Sequence, residues 1–227
     1  MILFKSAIRE AVLSGRLTIQ DDNGNPFPGW KTYWSPGHET LEEGFIGGDP
    51  VGLQPASIDL HLGNHWLVPK PNAEFPEPKR SWFSRTFGRA FHTDRRYLDT
   101  SKPIEYLEVF KDDVYIAGRS FLLARTQEVV GLPPELFGKV DGRSSFGRTG
   151  VFIENAGVID NGFKGSITLE VFNPHAYPVK LYAGTRCCQI CLFEGKGSAE
   201  GGYQGSYQGQ MGTRGSMLYK TVPGGAR

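Results

Sequence analysis

An all-β fold follows from three features of the chain. Short apolar runs alternate with polar residues at period two, Gly, Pro and Asn turns separate them, and helical spacing is confined to two brief stretches. The 227 residues include 30 glycines and 15 prolines without a repeat, which suits a chain of many turns better than a helical bundle. At 39% hydrophobic and 22% charged they fit one globular domain with a real core, so residues 1–227 are expected to form a single domain. The strands point to a sandwich or barrel.

Taken in order, residues 5–14 set Ala7, Ile8, Ala11 and Val12 on one helical face and turn Arg9 and Glu10 outward, with Gly15 as the C-terminal cap. Ser57-Ile58-Asp59-Leu60-His61-Leu62-Gly63 alternates as a half-buried strand does. Further strands are expected at 105–110, 113–117, 120–128, 150–154, 166–172, 178–182 and 186–193. Residues 70–96 interrupt the pattern with seven basic residues against three acidic ones. There Phe83, Phe87 and Phe91 fall at i, i+4 and i+8, which predicts a short amphipathic helix inside an insertion, with Arg85 and Arg89 on another face. Covering a barrel end or a subunit contact is its expected role; a basic lid over an anionic ligand is the alternative. The glycine-rich tail, 195–227, reads either as a frayed terminus or as a flap whose N–H groups approach phosphates.

Composition excludes several classes. A formal charge of +1 argues against a general polyanion binder, so no nucleic-acid partner is expected. The N-terminus lacks a signal pattern and no stretch approaches the roughly 20 apolar residues of a membrane span, so a soluble, cytoplasmic protein is expected. Cys187, Cys188 and Cys191 lie within five residues and cannot staple distant segments. With His175 the only nearby imidazole, buried strand cysteines are expected rather than a zinc site.

Chemistry concentrates between Arg143 and Asn173. Asp141-Gly142-Arg143-Ser144-Ser145 supplies a turn, a planar cation and two hydroxyls in a row, the parts of an anion nest. Residues 156–163 read as a strand entering a tight turn, with Asp160 at the strand end and Asn161-Gly162 as a hairpin dipeptide. Ile167, Leu169 and Val171 then alternate with Ser166, Thr168, Glu170 and Phe172, which places Glu170 on the face opposite the apolar residues. Spacing alone reads Glu170 as a solvated strand glutamate.

Three blocks in order resemble the dCTP deaminases of the dUTPase superfamily: Arg143-Ser144-Ser145-x-x-Arg148-x-Gly150, then Ala156-Gly157-x-Ile159-Asp160-x-Gly162-Phe163-x-Gly165-x-Ile167-Thr168-Leu169-Glu170, then Tyr207-Gln208-Gly209-Gln210. The run from Pro55 to Gly63 and the run from Ala183 to Gln189 are similar to segments of the same family. The resemblance implies a distorted β-barrel of the dUTPase-like β-clip type, and a homotrimer with active sites shared between subunits. It further implies zinc-independent deamination of dCTP to dUTP and ammonia, with Mg²⁺ bound through the nucleotide triphosphate. By carry-over, Glu170 takes a proton from water attacking cytosine C4, Arg148 holds Glu170 ionised, and Ser144 with the Ala156 carbonyl positions the water. Arg143, Ser145, Gln189, Tyr207 and Gln210 map to substrate contacts, chiefly with the triphosphate. Asp160 accepts from the deoxyribose 3′-hydroxyl, and Phe163 packs on the sugar.

Two details pull toward the neighbouring dUTPases. Arg148 and Asp160 stand one position closer than in the deaminases, and Ala-Gly-Val-Ile-Asp at 156–160 is similar to a dUTPase motif. Glu170 and Ser145 follow the deaminase pattern. Deamination to dUTP is therefore the leading expectation. A bifunctional dCTP deaminase/dUTPase giving dUMP and pyrophosphate comes second, with Asp160 activating water at the α-phosphate, and a plain dUTPase comes third. A trimeric nucleotide-binding regulator without turnover is the reading of a different class; the joint presence of Ser144, Arg148, Asp160 and Glu170 weighs against it.

Overall fold

A computed structural model describes residues 1–25, 45–46, 49–50, 52–74, 96–154, 157–197 and 201–223. Helix α1 (Lys5–Leu13) precedes strands β1 (Thr18–Gln20), β2 (Phe45–Ile46), β3 (Asp49–Pro50), β4 (Ile58–His61), β5 (His65–Pro69), β6 (Ala73–Glu74), β7 (Arg96–Tyr97) and β8 (Tyr106–Phe110). Next come β9 (Asp113–Ile116), β10 (Ser120–Gly131), β11 (Leu136–Gly142) and the single-turn helix α2 (Ser144–Gly147). Strands β12 (Phe152–Glu154), β13 (Val158–Ile159), β14 (Lys164–Asn173), β15 (Val179–Tyr182) and β16 (Arg186–Glu194) follow.

Two compact units are present. Met1–Leu67 with Glu108–Arg214 forms the first, and Val68–Leu107 with Gly215–Arg227 the second. In the second, β6 pairs with β7, and Asn72 clasps the loop beyond them: its Nδ2 donates to the Asp99 and Pro103 carbonyls while its Oδ1 accepts from the Asp99 N–H. The helix expected around Phe83, Phe87 and Phe91 lies outside the described residues, as does most of 20–50.

The fold is mostly β with an N-terminal helix, as the sequence predicts. One antiparallel sheet runs β12-β14-β10-β5-β8, with β1 also on β10, and a second runs β13-β11-β16-β4. Neither strand order closes on itself, and although a Leu62–Thr126 bridge links the sheets, no closed barrel forms among the described residues. Helix α1 buries Ile8, Ala11 and Val12 on the face expected and closes on Gly15, whose N–H donates to the Val12 carbonyl at a φ of 73°. No described helix is long and apolar enough to cross a membrane. Cys187 and Cys188 are buried on β16, with Cys191 half-buried, and none of the three is in a disulfide.

Strand β14 lies second from one edge of the first sheet, paired antiparallel with the central β10 along its length and with β12 at its far end. Its pattern follows the sequence: Ile167, Leu169 and Val171 are buried, and Thr168, Glu170 and Phe172 between them are half-buried. A bulge in β10 between Arg125 and Val129 breaks the ladder. Side chains take over where the backbone pairs stop. Thr126 Oγ1 accepts from the Ile167 N–H (3.0 Å) and donates to the Glu128 carbonyl (2.7 Å), and the Glu128 carboxylate accepts from the N–H and Nδ1 of His61 on the other sheet. Gly63 presses against the same bulge, its N–H on the Arg125 carbonyl; a Cβ there would stand 2.8 Å from Arg125 Cγ.

Thr126 is fully buried, so Thr126→Val removes one hydroxyl at constant volume and leaves the Ile167 N–H without a partner. The variant should lose about 2 kcal/mol in urea unfolding at fixed protein concentration. A loss under about 0.5 kcal/mol would show that another acceptor replaces the hydroxyl.

Candidate active site

Strand β11 ends at Gly142, and α2 begins at once because the Arg143 carbonyl accepts from the N–H groups of Phe146 and Gly147. The Arg143 N–H donates to the Cys187 carbonyl (2.8 Å), and Phe146 is buried, which pins the turn to β16. Ser144 and Ser145 remain exposed on this turn.

Asp59 of β4 organises the cations beside them. It is 2% exposed, and its Oδ2 forms an ion pair with Arg143 Nε (2.9 Å) and accepts from Arg186 Nη1 (3.4 Å) and Gln54 Nε2 (3.3 Å). Its Oδ1 is buried and unpartnered among the described residues. Gln189 is the cross-strand neighbour of Asp59, and its Oε1 accepts from Ser57 Oγ (3.3 Å). Arg143 Nη1 reaches Ser145 Oγ at 3.4 Å. The structure thus gathers Arg143, Ser145 and Gln189, all singled out from sequence, and adds Arg186 and Asp59, which were not. The alternation of residues 57–63 placed Asp59 on a strand; only the pairing of β4 with β16 reveals the two guanidiniums around it. The arrangement is a partly exposed cationic surface on a buried anion, suited to a polyanionic ligand.

A second cluster forms where Asp160-Asn161-Gly162-Phe163 turns, with Gly162 at a φ of 75° and the Phe163 N–H on the Asp160 carbonyl. The expected hairpin does not form. Strand β13 before the turn pairs with β11 and β14 after it pairs with β10 and β12, so the Asn-Gly turn carries the chain from one sheet to the other. Asp160 is exposed, and Phe163 is buried with its ring edge-on to Tyr203 at 5.8 Å.

The C-terminal segment packs over this turn and then along β14. The Tyr203 N–H donates to the Asn161 carbonyl, Gln208 Nε2 to the Gly162 carbonyl, and the Tyr207 N–H to the Tyr203 hydroxyl. Beyond it, the Gly209 N–H meets the Lys164 carbonyl and the Ser166 N–H meets the Gln210 carbonyl. Gly165 permits this approach, since a Cβ there would lie 2.8 Å from the Gln210 carbonyl oxygen. Gln210 itself is 5% exposed and its Nε2 donates to the Ser166 carbonyl, so it works as a clamp on β14 rather than reaching outward. Thr213 completes the anchorage: its N–H donates to His65 Nδ1 and its Oγ1 to the His65 carbonyl.

Glu170 is half-buried on β14 with Leu123 of β10 on one side and Glu154 of β12 on the other. Burial raises its carboxyl above the ordinary carboxylate range, its own backbone N–H opposes this, and the like charge of Glu154 adds to the rise. Its Oε2 is buried without a partner among the described residues. Such a carboxyl holds a proton readily and is free to exchange it. Arg148 does not meet it: Arg148 is exposed at the end of α2 and pairs with no carboxylate among the described residues. Ala156 lies outside the described residues.

Comparison with known proteins places this arrangement in context. A dCTP deaminase-like family profile matches residues 38–195. The chain is 37% identical over 171 residues to a protein of Sulfurihydrogenibium sp. named "dCTP deaminase, dUMP-forming", covering 75% of this chain and 86% of the relative. It is 40% identical over 176 residues to a protein of the same name from Persephonella marina, again covering 75% and 86%. Among solved structures, the 2′-deoxycytidine 5′-triphosphate deaminase of Agrobacterium tumefaciens superposes with a TM-score of 0.51 at 20% identity. That superposition takes in 86% of this chain and 48% of the other, a likeness of fold.

Asp59→Ala would leave Arg143 and Arg186 facing each other with no anion between them. It should destabilise the protein by on the order of 2 kcal/mol in urea unfolding, below the cost of a fully buried pair because solvent reaches both guanidiniums. Arg186→Ala, which leaves Asp59 paired with Arg143, should cost less than half as much; equal losses would mean that Asp59 does not hold the cluster together.

Proposed function

Because the chain belongs to the dCTP deaminase-like family, we propose that it converts dCTP to dUMP, pyrophosphate and ammonia, consuming two waters. The sequence puts deamination to dUTP first and this two-step conversion second. The relatives' printed names, dUMP-forming, favour the second. The observation that carries the deamination step is Glu170, a half-buried carboxyl of raised proton affinity with one oxygen unpartnered among the described residues.

Without a metal-bound hydroxide, a positioned carboxylate must take the proton from water. Ionised Glu170 does so as the water oxygen bonds to cytosine C4 and the C4–N3 π pair moves to N3, which receives that proton. The new hydroxyl then gives its proton to Glu170, C4=O forms, and the C4–N bond breaks as Glu170 passes the proton to the departing amine. Ammonia and the uracil base result, and Glu170 ends ionised as it began. Ser144 and the Ala156 carbonyl hold the water. Arg143, Ser145 and Gln189 take the triphosphate, with Tyr207 closing over it from the tail. Asp160 accepts from the sugar 3′-hydroxyl and Phe163 packs on the ring. In the second step Asp160 orients a water toward the α-phosphorus, and pyrophosphate leaves.

Magnesium fits this site as a counter-ion carried by the nucleotide. The anion-facing groups are guanidinium, hydroxyl and amide, and the carboxylate among them, Asp59, is already shared by two arginines, so phosphate oxygens would be its main ligands. When bound it offsets the charge of the leaving pyrophosphate. That neither Glu170 nor Arg148 has an ion-pair partner among the described residues supports a site shared between copies. In this reading three chains assemble, and Arg148 of one copy holds Glu170 of the next.

With dCTP and Mg²⁺, the wild-type protein should release ammonia and pyrophosphate in equal amounts and leave dUMP; accumulation of dUTP would reduce the activity to deamination, and no conversion would favour a binding protein. Glu170→Gln should slow ammonia release about a thousandfold with dCTP affinity largely kept. Asp160→Asn should slow pyrophosphate release about a hundredfold and let dUTP build up, while an unchanged product ratio would remove Asp160 from the second step.

A further inference from the structure

Glu154 of β12 stands directly opposite Glu170 in the antiparallel register. Residues so paired hold their Cβ atoms about 4.5–5.5 Å apart on one face of the sheet. Glu154 is exposed and Glu170 half-buried, so the two carboxyls run from water into the sheet. Neither has an ion-pair partner among the described residues.

The other charged groups on the elements around Glu170 are otherwise engaged or one pair further along. On β10 the opposite residue is Leu123, and Arg125 faces Thr168 with its guanidinium held by both carboxylate oxygens of Asp22. From the tail, Arg214 is exposed and its N–H donates to Thr168 Oγ1. On β14 itself the neighbours on the same face are Thr168 and Phe172. Within one chain Glu154 is thus the charged residue that the sheet sets against the reacting carboxyl, and it acts against the pull of Arg148 from the next copy in the assembly proposed above.

We propose that Glu154 is a positioning residue for deamination: facing Glu170 across β12 and β14, its negative charge makes Glu170 hold each proton more firmly between the two transfers. A like charge across the strand pair disfavours the ionised form of the half-buried Glu170. The direction in which burial and Glu154 move the Glu170 carboxyl agrees with this. The inference rests on Glu170 as the acid–base group and adds the residue that sets its working pH.

The test is kcat for ammonia release from dCTP as a function of pH, in the wild type and in Glu154→Gln. Glu170 must be ionised to take the proton of water, so activity rises with pH through its pKa. Removing the like charge lowers that pKa, and the acid limb of Glu154→Gln should move to lower pH by about half a unit to one unit. Relative to its own plateau, the variant should then be about three- to tenfold more active than the wild type on the acid side. Glu154→Asp, which restores the charge, should return the limb toward its original place. An acid limb that stays put in Glu154→Gln overturns the proposal, and so does a folded Glu154→Gln without turnover, because a charge-setting role leaves the chemistry intact. Should Glu170→Gln itself keep deaminating dCTP, the reading of Glu170 fails first, and that outcome is separate from any result at Glu154.

Discussion

Period two along β14 is the constraint from which the site descends. Ile167, Leu169 and Val171 are buried and commit one face of the strand to the core, so Thr168, Glu170 and Phe172 must face the other way. A register slip of one residue would bury Glu170 and expose three large aliphatic side chains, at about 1.5–3 kcal/mol each a cost comparable to the whole stability of a typical domain. The bulge in β10 makes the register tighter still, because the Thr126 hydroxyl serves one backbone N–H of β14 and no other. The carboxyl is aimed by hydrophobic burial on the far side of its own strand.

Charge is organised by a different route. The anion-facing groups sit on the second sheet, where Asp59 is drawn into the protein by the pairing of β4 with β16 and carries two guanidiniums with it. Holding two cations close together without a ligand is unfavourable, and a buried carboxylate between them offsets that repulsion in advance. The two arginines are thereby held in place by Asp59, with less side-chain entropy left to lose. The two sheets so divide the candidate site: one aims the Glu170 carboxyl, the other gathers Arg143 and Arg186 on Asp59, and the Asp160–Phe163 turn is where the chain passes from the second to the first.

Much of this was legible in the sequence where a period was long enough to read. Helix α1, the strands from β8 to β10 and the alternation of β14 all declare themselves. Strand β5 did not, because His65, Trp66 and Leu67 are buried in succession and a strand covered on both faces shows no alternation. Strand β11 was hidden by Gly138, where a Cβ would stand 2.6 Å from Ile190 Cδ1; close packing there demands a residue that reads as a turn. Asn161-Gly162 was rightly a turn, yet a local dipeptide does not say which strands its flanks will pair with. Residues around the anion cradle could be named from motifs, but the role of Asp59 depends on partners far along the chain, and the distance between Arg148 and Glu170 was invisible to any pattern.

The docking of the tail has a bearing on the health of the molecule. Strand β12 covers β14 only from Glu170 to Phe172, and it is the run from Gly209 to Gln210 that occupies the backbone of Lys164 and Ser166. A strand with open N–H and C=O groups is a template for any other chain that can add to it. The C-terminal segment therefore doubles as a guard against self-association. Gln210 and Thr213 are the residues that seat it most firmly, through Ser166 and His65. Protection of that strand, in this protein, is written into the same few residues that seat the tail.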